Sequence, residues 1–137
     1  MKAKFLSVVS CVLCLNADII ISFDQLPASS KEFLSKYFKA EVGLVQKDKN
    51  SYEVYLSDGS ELEFEIDGSW HEVENKANPF ELDFLPPNLS AIIKNEFPNT
   101  KAIEIEKKIS YYKIKLTNGV KIYMDFNGTI LKKKIDD

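Results

Sequence analysis

Hydrophobic and polar residues alternate along two stretches of the chain, residues 52–70 and residues 112–130, and the pattern is the same in both, sixty residues apart. Every second residue is apolar, which is typical of antiparallel strands with one buried face. Glycine turns interrupt the alternation twice in each stretch. The turn glycines are Gly59, Gly68, Gly119 and Gly128. The pattern predicts two copies of one hairpin-based unit that share a core.

A segment with helical periodicity precedes each alternating stretch and is introduced by a Leu-Pro pair. Apolar residues recur one turn apart, which predicts one helix per unit with one buried side. These residues are Phe33, Leu34, Tyr37 and Phe38 in the first helix and Leu89, Ile92, Ile93 and Phe97 in the second. The residues expected to cap the helices are Ser29 or Ser30 and Asn88 or Ser90.

Residues 42–47 and 101–107 are expected to form the first strand after each helix. Whether residues 19–23 form a further strand or continue the segment before them stays open. We predict an α+β fold of two tandem repeats, each one helix followed by an antiparallel β-meander of three to four strands, with the helices packed on one face of the sheet. The single domain of residues 18–137 would contain repeats over residues 26–76 and 85–134, joined by a linker over residues 77–84.

The parity of the buried positions identifies the first turn of each unit. Val54 and Leu62 must share the buried face, which requires a three-residue loop at residues 57–59. We therefore predict a type I turn with a G1 bulge at Gly59, and the same turn at residues 117–119.

The second turn, Asp67-Gly68, fits two registers. A three-residue turn buries Trp70 against Phe64 and exposes His71. A two-residue turn buries His71 and Val73 and leaves Trp70 beside Glu65 on the outer face. The sequence supports both registers, so the burial of Trp70 and His71 stays open.

The first seventeen residues read as a cleavable signal peptide. Two lysines precede an apolar run over residues 5–15 that is too short to span a bilayer, and the small residue Ala17 stands where signal peptidase would cut. We predict cleavage after Ala17, a periplasmic or secreted location in a bacterium, and no stable membrane insertion afterwards. Cys11 and Cys14 would leave with the signal. The alternative is a lipoprotein acylated at Cys11.

The net charge of the chain gives no case for nucleic acid as a partner, and the two predicted units differ in their net charge. The net charge is −3 and all eighteen basic residues are lysine, so the guanidinium groups favoured in nucleic-acid recognition are missing. Residues 18–84 carry a net charge of −9, and residues 85–137 carry +4. The outer-face acids of the first unit are Glu53, Glu61, Glu63 and Glu65, and the corresponding residues of the second are Lys113, Lys121, Tyr123 and Asp125. This surface is either an ordinary solvated sheet face or an acidic surface that engages a basic partner.

Groups for catalysis or metal binding are few. His71 is the only histidine, and no serine or cysteine can be placed beside it, so a nucleophilic triad is not expected. A metal or enzyme site at His71, Glu72 and Glu74 is a further hypothesis, although strand alternation places His71 and Glu72 on opposite faces. The sequence has neither a glycine-rich phosphate loop nor a twelve-residue calcium loop, and we expect no cofactor.

Aromatic residues at outer-face positions are the better candidates for protein contacts. They are Tyr55, Tyr111 and Tyr123, together with Trp70 if the two-residue turn holds. Residues 125–129 also match the acidic-x-Asn-x-Thr acceptor of bacterial N-glycosylation, which makes Asn127 a candidate modification site. Turn geometry alone accounts for the Asn127-Gly128 pair.

The leader, the Leu-Pro helices and the motif Tyr-x-Val-x-Leu-x-Asp-Gly-x-x-Leu-x-Phe-x-x-x-Gly-x-Trp over residues 52–70 carry a resemblance. The chain resembles the PepSY-like periplasmic family, which is related in fold to beta-lactamase-inhibitor protein. The resemblance spans residues 26–134, with a shortened end to the first motif and Ile130 in place of the second tryptophan. It implies two repeats of a helix and antiparallel strands, an exported location and no catalytic activity.

The sequence therefore predicts a non-catalytic exported binding domain. Its partner would be an unidentified protein or peptide bound through the outer sheet face, in an inhibitor-like manner. The alternative is a periplasmic protein that binds a small molecule or a metal.

Overall fold

The computed structural model describes residues 18–135, which form one nine-stranded antiparallel sheet with two helices. The strands are β1 Ile19–Ile21, β2 Val42–Lys47, β3 Ser51–Leu56, β4 Glu61–Glu65, β5 Trp70–Glu74, β6 Ala102–Lys107, β7 Tyr111–Leu116, β8 Val120–Asp125 and β9 Ile130–Ile135. The helices are α1 Ala28–Tyr37 and α2 Pro87–Glu96, and a 3₁₀ turn spans Phe23–Gln25. The order of the strands in the sheet is their order in the chain.

The expected cleavage after Ala17 and acylation of Cys11 concern residues outside this described range. Between residues 18 and 135, no helix is long and apolar enough to cross a membrane. Of residues 19–23, whose structure the sequence left open, Ile19–Ile21 form strand β1, which pairs with β2 from Ile19 opposite Lys47 to Ile21 opposite Val45.

The predicted fold class, α+β with two tandem helix-plus-meander repeats, is wrong. The molecule is mostly sheet, because strands from both predicted repeats form one continuous sheet and each α-helix has only ten residues. Strand β5 pairs directly with β6, with Val73 opposite Ile105. The predicted linker also joins this sheet, since Phe80 bridges to Ala102. Pairing β5 with β6 removes two edges that separate meanders would have left open.

The core lies between the helices and the sheet face that carries the alternating apolar residues. Phe33 of α1 packs edge-on against Phe64 of β4, with 5.7 Å between the ring centroids. The strands contribute Val54, Leu62, Phe64, Val73, Ile105, Ile114, Ile122 and Met124, and the helices contribute Leu34, Leu89 and Ile93. The opposite face of the sheet, called the outer face below, carries the polar residues of the alternation.

The predicted helix caps are wrong. Pro27 and Pro86 occupy the N-cap positions, and neither helix has a side-chain cap. The serines instead lie within the first helical turns and bind neighbouring loops. The buried Ser30 hydroxyl donates to the Gly68 carbonyl at 2.8 Å, and the Ser90 hydroxyl donates to the Leu82 carbonyl at 2.7 Å. Tertiary hydrogen bonds thus replace the local caps.

The predicted first turns are confirmed. Val54 lies opposite Leu62, the Leu56 N–H donates to the Ser60 carbonyl at 2.8 Å, and Gly59 has a φ of +93°. In the second half Ile114 lies opposite Ile122, and Gly119 has a φ of +83°. The left-handed backbone at each site requires a residue without a Cβ.

The Asp67-Gly68 turn satisfies both registers that the sequence allowed. Phe64 lies opposite Trp70, as in the three-residue turn, yet Leu62 lies opposite Val73, as in the two-residue turn. A β-bulge at His71 separates the two registers, so that Trp70 and Val73 are both buried.

Candidate functional site

Two rows of directly opposed residues cross the outer face from β3 to β9. The first row is Glu53, Glu63, Glu72, Glu106, Lys113, Tyr123 and Lys132. The second row is Tyr55, Glu61, Glu74, Glu104, Lys115, Lys121 and Lys134. The charge changes sign between β6 and β7, so one half of the outer face is acidic and the other is basic.

The acidic half contains a shallow cavity of about 280 Å³. It is lined by Glu53, Tyr55, Glu61, Leu62, Glu63, Glu72 and Glu74. We call the five glutamates of this lining the acidic patch. The sequence pattern identified Glu53, Glu61 and Glu63 as outer-face acids. It missed Glu72 and Glu74 as part of the same surface, because the bulge at His71 resets the alternation along β5.

Burial and neighbouring carboxylates, both in the acidic patch and beside it on β6, disfavour the ionisation of glutamates in the patch. Burial, together with the negative charges of Glu106 and Glu104, raises the pKa of Glu72 to about 7. Burial also raises the pKa of Glu63, and the neighbouring Glu53 adds to that effect. Near neutral pH Glu72 is therefore only partly ionised, and a bound cation would favour release of its proton.

The two glutamates of β6 are paired with lysines at the boundary between the halves. Lys115 Nζ lies 3.3 Å from a Glu104 oxygen. Lys108 Nζ lies 2.9 Å and Lys113 Nζ 3.5 Å from oxygens of Glu106. Burial opposes ionisation of Glu106, but the hydrogen bond from Lys108 and the charges of both lysines lower its pKa. The acidic patch therefore begins next to carboxylates that already have cationic partners.

His71 lies on the outer face, beside Glu72, so the expectation of opposite faces is wrong. The β-bulge changes the alternation at this residue. His71 Nδ1 lies 3.1 Å from Glu65 Oε1, and Nε2 lies 3.5 Å from Glu106 Oε2. Both ring nitrogens thus face carboxylates.

The candidate metal ligands His71, Glu72 and Glu74 are not the three residues whose ligand atoms lie together in the described part of the structure. Instead, single oxygens of Glu72, Glu74 and Glu104 lie within 4.8 Å of one another. A second group of the same kind consists of Asp18, Asp48 and Glu53. Carboxylate oxygens are the ligands that Ca²⁺ prefers, so either group has donors suited to that ion.

The predicted contact tyrosines lie on the outer face. The Tyr55 hydroxyl donates to Glu53 Oε2 at 2.7 Å, and this bond, burial and the nearby negative charges raise the pKa of Tyr55 to about 12. Tyr111 and Tyr123 form a pair with ring centroids 5.8 Å apart, and Lys132 Nζ lies 5.6 Å from the Tyr123 centroid. One tyrosine therefore borders the acidic half and two lie in the basic half.

Trp70 is in the core and is not part of the outer face. Its ring stacks on Tyr112 at 6.0 Å and contacts Phe84 edge-on at 5.1 Å. Lys107 Nζ lies 4.6 Å from the centre of the Trp70 ring. The tryptophan thus connects aromatic residues from both halves of the chain.

The remaining predicted positions lie in turns. Gly68 and Gly128, like the other two turn glycines, have positive φ values, of +94° and +95°. Asn127 is exposed in the turn between β8 and β9.

Comparison with known proteins gives a family and a set of similar structures. The family model described as beta-lactamase-inhibitor-like, PepSY-like matches residues 50–132. A periplasmic protein of the DUF2874 family from Bacteroides vulgatus ATCC 8482 is 26% identical, with a TM-score of 0.80 over 87% of this chain and 98% of that one. A periplasmic protein of unknown function from the same organism is 30% identical, with a TM-score of 0.77 over 86% of this chain and 99% of that one.

A third similar structure, from Bacteroides thetaiotaomicron, is described as a calcium-regulated periplasmic protein. It is 24% identical, with a TM-score of 0.79 over 85% of this chain and 96% of that one, and this likeness concerns the fold alone. No match is found among curated proteins.

Proposed function

This chain belongs to the PepSY-like, beta-lactamase-inhibitor-like family, and from that premise we propose that it is a non-catalytic exported domain that binds a positively charged protein or peptide. The binding surface is the acidic half of the outer face. The periplasmic description of the two relatives from Bacteroides vulgatus supports the exported location. Binding without turnover is also what an inhibitor-like protein does.

The observation that carries this proposal is the opposition of like charges across neighbouring strands. Glu61 lies opposite Glu74, and Glu63 lies opposite both Glu53 and Glu72. Like charges that are directly opposed destabilise a sheet. A partner that brings ammonium or guanidinium groups to this surface would relieve the repulsion, and the energy recovered would contribute to binding.

The shape of the surface favours a macromolecular partner. The cavity of about 280 Å³ is open, and Leu62 is the only apolar residue in its lining. Pockets for small organic ligands are mostly apolar and commonly larger. Tyr55 at the cavity adds an aromatic contact of the kind that is enriched at protein interfaces.

The surroundings of His71 support a non-catalytic role. Both imidazole nitrogens face carboxylates of Glu65 and Glu106. A general base needs one nitrogen directed at the group that it deprotonates. His71 thus serves better as a polar side chain that links β4, β5 and β6.

Isothermal titration of the purified protein with a lysine-rich peptide tests the proposal. We expect binding at low salt that weakens steeply as salt is added. The double substitution Glu61→Gln, Glu63→Gln should weaken binding about tenfold, because each lost charge contact contributes about 0.7 kcal/mol. The matched control is Glu32→Gln, Glu96→Gln, which changes charge equally at exposed helical positions.

Equal affinity of the two double variants for the peptide would refute the acidic patch as the binding surface. A second comparison replaces Tyr55 with alanine and leaves every carboxylate in place. We expect a smaller loss of affinity from this change, since it removes one contact and the hydrogen bond to Glu53.

A divalent cation is the second candidate ligand, favoured by the proximity of the Glu72, Glu74 and Glu104 oxygens. Titration with Ca²⁺ alone distinguishes it from the first. If the cation binds there, Glu72→Gln with Glu74→Gln abolishes the heat of binding, whereas His71→Ala retains it because the imidazole lies outside this group. Absence of Ca²⁺ binding by the unmodified protein refutes this candidate.

A further inference from the structure

The sequence contains two tripeptides of the Asn-x-Ser/Thr form that N-linked glycosylation requires, Asn88-Leu89-Ser90 and Asn127-Gly128-Thr129. A glycosyltransferase must reach the asparagine amide and also contact the hydroxyl two residues later. The two tripeptides differ in their accessibility in the folded protein, and this difference identifies the one that can be glycosylated.

The first tripeptide is closed by the fold. Asn88 lies in the first turn of α2, and Leu89 is one of the most deeply buried side chains, at 1% exposure. The Ser90 hydroxyl already donates to the Leu82 carbonyl at 2.7 Å. Presenting this tripeptide to an enzyme would require unwinding the start of α2 and withdrawing Leu89 from the core.

The second tripeptide is open. Asn127 and Thr129 are both exposed in the turn between β8 and β9. The turn is held by its backbone: Asp125 N–H donates to the Thr129 carbonyl at 2.9 Å, and Gly128 N–H donates to the Asp125 carbonyl at 3.1 Å. Among the described residues, no hydrogen bond involves the side chain of Asn127 or Thr129. The amide and the hydroxyl are therefore available without unfolding the core.

Asp125 supplies the acidic residue two positions before the asparagine. Its Oδ1 accepts the backbone N–H groups of Asn127 at 3.0 Å and of Thr129 at 2.9 Å. Gly128 anchors the turn on the helix side, because an added Cβ there would lie 2.5 Å from Ile92 Cδ1. The acidic residue, the asparagine and the threonine are thus presented together on a turn that rests on α2.

Turn chemistry does not account for Thr129. At the corresponding turn of the first half, Ser69 follows Asp67-Gly68, and its hydroxyl donates to Asp67 Oδ1 at 2.7 Å. Asn127 cannot play the part of Asp67 as an anion, and the structure gives Thr129 no equivalent bond. The Thr129 hydroxyl therefore has no role in holding the turn and is accessible from outside the molecule.

We propose that Asn127 is an acceptor for N-linked glycosylation by a bacterial oligosaccharyltransferase. The donor is an oligosaccharide joined to a lipid pyrophosphate. The Asn127 Nδ2 atom bonds to the anomeric carbon, the bond from that carbon to the pyrophosphate oxygen breaks, and the lipid pyrophosphate leaves with the electron pair. The amide loses one proton in the exchange, and no oxidation or reduction takes place.

The test is glycosylation of the folded, full-length chain by a purified bacterial oligosaccharyltransferase with its lipid-linked donor, followed by intact mass and peptide sequencing. We expect one oligosaccharide per chain, at Asn127. The substitutions Asn127→Gln and Thr129→Val should each abolish the mass increase, whereas Thr129→Ser should retain it. Asp125→Asn should reduce the yield at least about tenfold.

The Asn88→Gln variant is the matched control, and it should be glycosylated as fully as the wild-type chain. A mass increase that survives Asn127→Gln, or that maps to Asn88, would overturn the proposal. The proposal would also be overturned if the enzyme glycosylates a peptide of residues 123–131 but leaves the folded chain without an oligosaccharide. Circular dichroism of each variant establishes that the loss of the acceptor is not a loss of fold.

Discussion

Glu72 carries most of the electrostatic conflict of the acidic patch. It lies opposite Glu63 on one side and Glu106 on the other, and it is half-buried. Its raised pKa means that the folded state binds a proton more tightly than the unfolded state. Between the ordinary value of 4.5 and about 7 the free energy of unfolding therefore falls as the pH rises.

The substitution Glu72→Gln should remove this loss. A pKa of about 7 against 4.5 corresponds to about 3 kcal/mol, and screening by solvent at a half-buried position reduces the expectation to about 1 kcal/mol. We expect the variant to be more stable than wild type by that amount at pH 8, and equally stable near pH 4. Urea unfolding at the two pH values measures the difference. A difference that does not depend on pH would contradict the assignment.

The contact between α1 and the β4–β5 turn determines how the first helix sits on the sheet. Ser30 donates to the Gly68 carbonyl, and Gly68 itself is buried against the start of the helix. A Cβ added at Gly68 would overlap the Ser29 hydroxyl and lie 2.7 Å from the Pro27 Cβ. The turn and the helix can meet only because this residue has no side chain.

Gly68→Ala should therefore cost more than Gly59→Ala, although both glycines have nearly the same φ. At Gly59 the added Cβ would meet the Asn75 side chain, nearest at Oδ1 at 3.3 Å, so the left-handed backbone is the main cost, about 1 kcal/mol. At Gly68 the overlap with α1 adds about 2 kcal/mol. Midpoints of urea unfolding give the comparison, and equal losses would show that the helix can move away.

Sequence reasoning succeeded for elements whose structure is local. The first turns are confirmed because the parity of Val54 and Leu62, together with Gly59, leaves one loop that fits. The predicted helix caps are wrong because prolines occupy the N-cap positions, and the hydroxyls of Ser30 and Ser90 donate to carbonyls of neighbouring loops. The prediction that His71 and Glu72 lie on opposite faces is wrong because the bulge at His71 inserts one residue into the alternation, and it has no distinct sequence signal here.

The fold class failed at the level of the whole molecule. The pairing of β5 with β6 joins two strand edges that are separated in the sequence by the α2 segment, and no local sequence pattern predicts this pairing. The acidic patch was predicted only in part, for a different reason. Glu53, Glu61 and Glu63 follow from the alternation of one hairpin, whereas Glu72 and Glu74 lie on the same face because of the bulge at His71.

Trp70 provides a test of whether the first and second halves of the chain, which correspond to the two predicted repeats, fold together. It is the only tryptophan, and it stacks on Tyr112 from the second half and on Phe33, and contacts Phe84 edge-on. We expect its fluorescence and the far-ultraviolet circular dichroism to change at the same urea concentration, as in a two-state transition. Two separated transitions would mean that the halves unfold independently in spite of the continuous sheet.

A sheet in which every strand pairs with its neighbours in the chain also has a kinetic consequence. Each hairpin closes a short loop, and the β5–β6 pairing is the longest closure between consecutive strands. Topologies with mostly local contacts fold faster than those that need distant pairings. A chain that emerges amino terminus first can therefore add its strands one at a time, and at every stage the newest strand is the template for the next.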